Sequence, residues 1–357
     1  MKRHFDPEAI KAQIANLEAD RERIDQAIKA LGAVLGSMEG IHQAELQFNP
    51  GPAASEVTLQ DAVKRVCMNL VDGITRNGRT APVWEIRHGD CVVGMAALPE
   101  DSVDLVVTSP PYNIGKEYGA YDDNRRHDEY LRWCGEWATG IKRTLKPGGS
   151  LFLNVGDSSR QAFFPYEVAK AMTEAGFELQ NTIHWIKSIS IERDGLTTSH
   201  GHFKPINSER YLNDCHEYIF HFTLDGKRQL DRLAIGVPYA DKSNIARWSH
   251  TNGKDRRCRG NTWFIPYRTI HQRAKQRPHP ATFPTELAVK CIRLHGARNA
   301  VVMDPFLGIG HAAFAASECA DIVSKFIGLE IDEEYIKICC KVLGCDYSEV
   351  EAEGTPA

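Results

Sequence analysis

The chain has 357 residues, 42% hydrophobic and 25% charged, a composition that suits one large globular domain or two smaller ones. No apolar run approaches the roughly 20 residues that cross a bilayer, and Met1–Asp20 lacks the apolar core of a signal peptide. Membrane insertion and secretion are therefore not expected, and a cytoplasmic protein is. The formal net charge of −4 hides an uneven distribution: Lys187–Arg277 carries 17 Lys and Arg against 9 Asp and Glu, and the rest of the chain 26 against 38. A basic segment inside an acidic protein suits a surface that meets phosphates, although a solvated loop region has the same composition. The ten cysteines are scattered with no C-x-x-C pair, so neither a disulfide framework nor a metal site is expected.

In chain order, Asp6 to about Met38 reads as a helix. Ile10, Ile14, Leu17, Ile24, Ile28, Leu31 and Leu35 form a heptad-like stripe between charged residues, and Asp6-Pro7 supplies an N-cap and a first helical residue. Such a stripe either folds onto the body or pairs with a second copy to make a homodimer. Asn49-Pro50-Gly51-Pro52 breaks the chain, and Thr58 to about Asp72 is a second short helix, so residues 1–80 form a helical N-terminal extension.

The body starts near Val83. Val103–Val107 is an apolar strand that ends in Thr-Ser-Pro-Pro-Tyr, and Tyr130–Leu145 is an amphipathic helix closed by Lys146-Pro147-Gly148-Gly149. Ser150–Val155 is a strand, Val168–Ala175 a helix and Thr182–Ile186 a strand. The stretch Ser188–Gln276 breaks the rhythm and is expected to be loop-rich. Pro284–His295 is a helix, Ala300–Met303 a strand, His311–Ser317 a helix after a glycine turn, and Phe326–Glu330 a strand. Strands alternating with helices predict an α/β fold with a doubly wound, mostly parallel sheet.

Two motifs carry chemistry. Ligands of open α/β sheets bind beyond the carboxyl ends of the strands, and Ser109-Pro110-Pro111-Tyr112 sits at such an end. The proline pair stiffens the backbone and leaves carbonyls without competing N–H groups. The Ser109 hydroxyl and the Pro110 carbonyl are two acceptors suited to the two hydrogens of an amino group, and Tyr112 offers a face for stacking. A bare Pro-Pro turn capping a strand is the alternative. The second motif, Asp304-Pro305-Phe306-Leu307-Gly308-Ile309-Gly310, follows a strand and precedes a helix. Gly308 and Gly310 would let a ligand approach the helix N-terminus, and Glu330, ending the next strand, could bind both hydroxyls of a ribose.

Together these motifs resemble the amino-methylating DNA methyltransferases, which carry D/N/S-P-P-Y as the catalytic motif and F-x-G-x-G as the S-adenosylmethionine loop. The catalytic motif comes first here, which resembles the β group, with a DNA-recognition region between the two. The resemblance runs from about Trp84 to Leu343 and takes in His88-Gly89-Asp90, whose Asp90 is similar to the family's adenine-side acid, and His279-Pro280-Ala281-Thr282-Phe283-Pro284 before the cofactor loop. His311 departs from the Thr or Ser common after G-x-G.

The resemblance implies S-adenosylmethionine as cofactor, held by Asp90, Asp304, Phe306, Gly308, Gly310 and Glu330, and catalysis by Ser109, Pro110, Pro111 and Tyr112. It implies a catalytic half at 83–187, a target-recognition region at 188–277 and a cofactor half at 278–346. Double-stranded DNA is the implied partner, with Arg256, Arg257 and Arg259 as contacts in the basic segment, and a cognate restriction enzyme is admitted. The target base would be flipped out of the duplex, with Tyr112 and Trp185 to stack on it. Cytosine C5 chemistry is disfavoured, because none of the 17 prolines precedes a cysteine. S-P-P-Y resembles cytosine-N4 enzymes and D-P-P-Y or N-P-P-Y adenine-N6 enzymes. Cytosine N4 is thus the expected target and adenine N6 the alternative. An RNA or protein N-methyltransferase, or an inactive DNA-binding protein that kept the fold, are the remaining readings.

Overall fold

The computed structural model describes residues 81–116, 118–156, 161–193, 196–201, 209–268 and 282–350. The chain divides into two units, 1–78 and 79–357, and the helices expected before residue 80, with their dimer seam, lie outside the described residues.

In chain order the elements are β1 (Val83–His88), α1 (Cys91–Ala96), β2 (Val103–Thr108), α2 (His127–Thr144), β3 (Leu145–Gly156), α3 (Phe164–Glu174), β4 (Glu178–Arg193), β5 (Leu196–Gly201) and β6 (His216–Thr223). There follow α4 (Ser243–Arg247), β7 (Thr262–Arg268), α5 (Thr285–His295), β8 (Ala300–Asp304), α6 (His311–Glu318), β9 (Val323–Glu330), α7 (Glu333–Leu343) and β10 (Tyr347–Glu349). They build one sheet in the order β10-β1-β9-β8-β2-β3-β6-β4-β5, with β7 paired to β4. The strands β10, β1, β9, β8, β2 and β3 are mutually parallel, while β6 runs antiparallel between β3 and β4. The mostly parallel α/β sheet is the expected one.

Helices cover both faces, so the central strands read as continuous apolar runs. Alternate residues of β2 enter opposite cores: Leu105 and Val107 pack with α5, α6 and α7, and Val106 packs with α2 and α3. On α2 the buried residues Tyr130, Trp133, Cys134, Trp137, Ala138 and Ile141 recur at spacings of 3, 1, 3, 1 and 3, the stripe of a helix lying on a sheet. Asp128 and Glu129 in its first turn and Lys142 and Arg143 in its last complement the helix dipole. Among the described residues no helix is long and apolar enough to cross a membrane.

Two expectations need correction. The boundary placed between residues 187 and 188 falls inside β4, and the supposedly loop-rich Ser188–Gln276 contains β6, a central strand of the main sheet. Its run Tyr218–Phe222 has strand-forming residues, but it is buried on both faces and carries no polar alternation. His221 is fully buried there, yet bonded to Ser150 Oγ (3.0 Å) and to the Asn181 side chain (3.0 Å). The second correction is at the other end: β10 reaches Glu349, beyond residue 346, and pairs in parallel along the outer edge of β1.

Candidate active site

Because six strands are parallel, their carboxyl ends open on one side of the sheet, and so do the end of β4 and the start of the reversed strand β6. A cavity of about 420 Å³ lies there, within the range of small-molecule sites. Its walls include Asp90 after β1, Ser109–Tyr112 after β2, Asn154 and Gly156 on β3, and Trp185 and Lys187 on β4. Glu217 on β6, Phe306–Ile309 after β8, and Glu330–Asp332 at the end of β9 also line it.

One wall is the Ser-Pro-Pro-Tyr segment. Tyr130 Oη donates to the Pro111 carbonyl at 2.6 Å, pinning the proline pair to α2. The Tyr112 ring lies against Gly156, where a Cβ would stand 2.7 Å from its Cε2, so only glycine leaves room for the phenol. Its hydroxyl is 2.9 Å from Ser109 Oγ, accepts from Asn154 Nδ2 at 2.9 Å and reaches Glu217 Oε2 at 3.2 Å. Asn154 Nδ2 also donates to Glu217 Oε2 at 2.6 Å, and Lys187 Nζ pairs with Glu217 Oε1 at 2.7 Å. Burial, and next the Glu217 carboxylate, hold the Tyr112 phenol well above its ordinary pKa, so it stays protonated. The following loop is organised by buried Asp123, whose carboxylate accepts from the backbone N–H groups of Asn113, Ile114 and Lys116. That loop brings the Arg125 guanidinium over the rings of Tyr121 and Trp133, 4.7 and 5.0 Å from their centroids.

The glycine loop forms another wall. Gly308, at φ 52°, donates its N–H to Glu330 Oε2 at 2.6 Å, and Asp332 N–H donates to Oε1 at 2.9 Å. Both carboxylate oxygens are thus fixed at the cavity wall, and burial raises the Glu330 pKa. Asp90 caps α1 through Oδ1, which accepts from Val92 N (2.8 Å) and Val93 N (3.2 Å), and it reaches the cavity from the β1 end. His311 opens α6 and also lines the cavity.

Two of the expected cofactor residues stand behind the wall. Asp304 is 1% exposed; its Oδ1 accepts from Thr108 Oγ1 (2.6 Å) and Phe306 N (3.0 Å), tying the catalytic strand end to the cofactor loop. Burial pushes its pKa up to about 7, against the Thr108 bond that lowers it. Gly310 is the N-cap of α6 at φ 97°, and a Cβ there would overlap Cys339 Sγ of α7. Glycine at this position leaves the room that Cys339 occupies.

The three expected DNA contacts lie away from the cavity. Arg256 Nη1 donates to the Gly236 carbonyl (2.9 Å), Arg259 Nε donates to the Ile235 carbonyl (2.9 Å), and Arg257 pairs by backbone with Val237 while its guanidinium lies over Tyr239. They brace the 235–239 loop. Trp185 is 4% exposed and donates Nε1–H to the Ile265 carbonyl, so it is cavity floor. Sequence reasoning missed Asn154, Lys187, Glu217 and Asp332. Asn154 had a signal, a polar residue inside an apolar strand; Glu217 had none once β6 was read as loop.

Comparison with known proteins agrees with this geometry. The N6_N4_Mtase family model, described as DNA methylase, matches residues 103–341. Relatives include the type II methyltransferase M.BglII of Bacillus subtilis, 29% identical over 275 residues, covering 74% of this chain and 70% of that one. M.HpaI of Haemophilus parainfluenzae is 27% identical over 263 residues (72% and 74%), and the DNA adenine methyltransferase YhdJ of Escherichia coli K12 is 27% identical over 273 (74% and 83%). The structure of the cytosine-N4-specific PvuII DNA methyltransferase shares the fold, with a TM-score of 0.51 and 19% identity over 76% of this chain and 98% of that one. The chain belongs to the N6/N4 DNA methylase family. It is an S-adenosylmethionine-dependent enzyme that methylates DNA at an exocyclic amino group, of cytosine N4 or adenine N6.

Proposed function

We propose that the enzyme methylates cytosine N4 in flipped-out bases of duplex DNA, that it works in the cytoplasm, and that a cognate restriction enzyme accompanies it. The observation that carries the site assignment is that Ser109–Tyr112 and the Gly308–Glu330 pair line a single cavity. The donor set fits the cofactor. Glu330 offers a carboxylate edge to a ribose diol, Asp90 and Asp332 add negative charge, and Phe306, Trp133 and Tyr335 supply apolar walls. When bound, S-adenosylmethionine supplies an electrophilic methyl on a sulfonium centre. The chain's own task is then orientation. Ser109 Oγ and the Pro110 carbonyl accept the two amino hydrogens, which favours a pyramidal nitrogen with its lone pair free, while the Tyr112 ring stacks on the base. A hydroxyl at position 109 supports cytosine N4; the adenine-specific E. coli relative keeps adenine N6 as the second reading.

The basic segment provides the DNA surface outside the shared sheet strands, with Arg256 and Arg257 exposed on it and Arg259 half-buried beside them. The test is single-turnover methylation followed by mass spectrometry of nucleosides. N4-methylcytosine is expected, N6-methyladenine would move the assignment to the second reading, and 5-methylcytosine would break the mechanism. Ser109→Ala should slow the step on the order of a hundredfold while cofactor binding survives; full activity would reduce Ser-Pro-Pro-Tyr to a structural turn.

A further inference from the structure

The amino nitrogen uses its lone pair for the new bond to carbon. It is left cationic, with one proton too many, and that proton needs an acceptor. Ser109 Oγ is a weak base, so what stands behind it matters.

Behind it is a closed hydrogen-bond chain whose proton order can be assigned. Glu217, paired with Lys187, is an acceptor only. The Asn154 amide must point its NH₂ toward Glu217 and Tyr112, because the flipped amide would set its oxygen against the carboxylate. Tyr112 Oη then accepts from Asn154 and donates to Glu217 Oε2. Its remaining lone pair can only accept, so Ser109 Oγ–H donates to Tyr112 Oη across 2.9 Å. Asn154 Nδ2 also approaches Ser109 Oγ at 3.5 Å, beyond its shorter bonds to Tyr112 and Glu217, so one Ser109 lone pair receives that contact and the other is left for the incoming amino group. The backbone supports this order: Glu217 sits in register between Gly156 of β3 and Trp185 of β4, and glycine at 156 opens the space the phenol crosses.

We propose that Glu217 is a positioning residue for methyl transfer, orienting Ser109 through Tyr112 and receiving the proton that the base amino group loses. The N–H bond breaks to Ser109 Oγ, the Ser109 proton passes to Tyr112 Oη, and the Tyr112 proton passes to Glu217 Oε2. One N–H bond is lost and one O–H bond gained; the nitrogen cation and the Glu217 anion both become neutral. The protein resets when Glu217 returns the proton to solvent. The inference rests on the reading of Ser109 and Pro110 as the amino-group acceptors.

Single-turnover methylation of unmethylated bacterial genomic DNA, with the full chain and S-adenosylmethionine labelled in its methyl group, tests it. Tyr112→Phe keeps the stacking ring and removes only the relay hydroxyl; Glu217→Gln keeps the shape and removes the acceptor. Each should slow the rate about a hundredfold, the range of a general-base contribution, with affinities for S-adenosylmethionine and DNA within about twofold of the parent. The double variant should be no slower than the slower single one, because both interrupt one chain. A full rate in Tyr112→Phe, weakened binding with an unchanged rate, or losses that multiply in the double variant would each overturn the relay. Those outcomes beside an inactive Ser109→Ala would leave the acceptor reading intact, whereas an active Ser109→Ala would remove both.

Discussion

Gly310→Ala separates packing from ligand contact at the cofactor loop. The backbone at 310 has φ 97°, a region where an L side chain costs roughly 1–2 kcal/mol. The new methyl would overlap Cys339 Sγ and stand 3.3 Å from Cys339 Cβ and 3.4 Å from Phe314 Cε1. Cys339 is fully buried on α7, so it cannot swing into solvent, and overpacking of this kind costs about 1–3 kcal/mol. The expected destabilisation is therefore about 2–5 kcal/mol. Urea unfolding followed by tryptophan fluorescence measures it. Gly253→Ala is the control, since it also has positive φ (71°) but its new Cβ would meet nothing within 4 Å among the described residues beyond its chain neighbours; it should lose only about 1 kcal/mol. Adding Cys339→Ala to Gly310→Ala should recover about 1–3 kcal/mol by removing the overlap. A Gly310→Ala protein as stable as the Gly253→Ala control, or no recovery in the double variant, would refute the packing argument and return Gly310 to the ligand side of the wall.

Gly308→Val places a β-branched side chain at φ 52° in the cavity wall, and calorimetry should show S-adenosylmethionine affinity lost in a folded protein; unchanged affinity would disprove the loop assignment. Arg257→Ala should weaken binding to all DNA sequences alike and reduce the salt slope by about one unit, and an unaltered slope would take Arg257 out of the phosphate surface. Asp304→Asn keeps the acceptor for Thr108 and Phe306 but cannot ionise. Since the Asp304 pKa is raised to about 7 from 3.8, wild-type stability from the neutral acid is full below 3.8 and lost as pH rises through 7. The variant should therefore lose less stability between pH 5 and 8, and parallel curves would contradict the cause given for the shift. If the Ile10–Leu35 stripe makes a dimer, light scattering should find a dimer for the full chain and a monomer for a chain starting at Thr80; equal states would end that proposal.

How much was legible in the sequence follows from which interactions are local. Strand ends followed by Ser-Pro-Pro-Tyr or by a glycine loop are written in ten residues or fewer, so the two motifs, and the family resemblance they carry, were legible directly, as was the fold class from the alternation of strands and helices. Helix α2 was visible because its apolar spacing and end charges are local too.

What only the tertiary structure decided was which residues share a wall. Glu217 and Tyr112 are 105 positions apart, and Asp304 and Thr108 are 196 apart. Glu217 joins the site because β6 inserts antiparallel between β3 and β4, a register that local pattern does not specify. The two glycines of one motif split for the same reason. Gly308 lines the cavity and Gly310 lies against Cys339, because that residue of α7 takes the space a side chain at 310 would need.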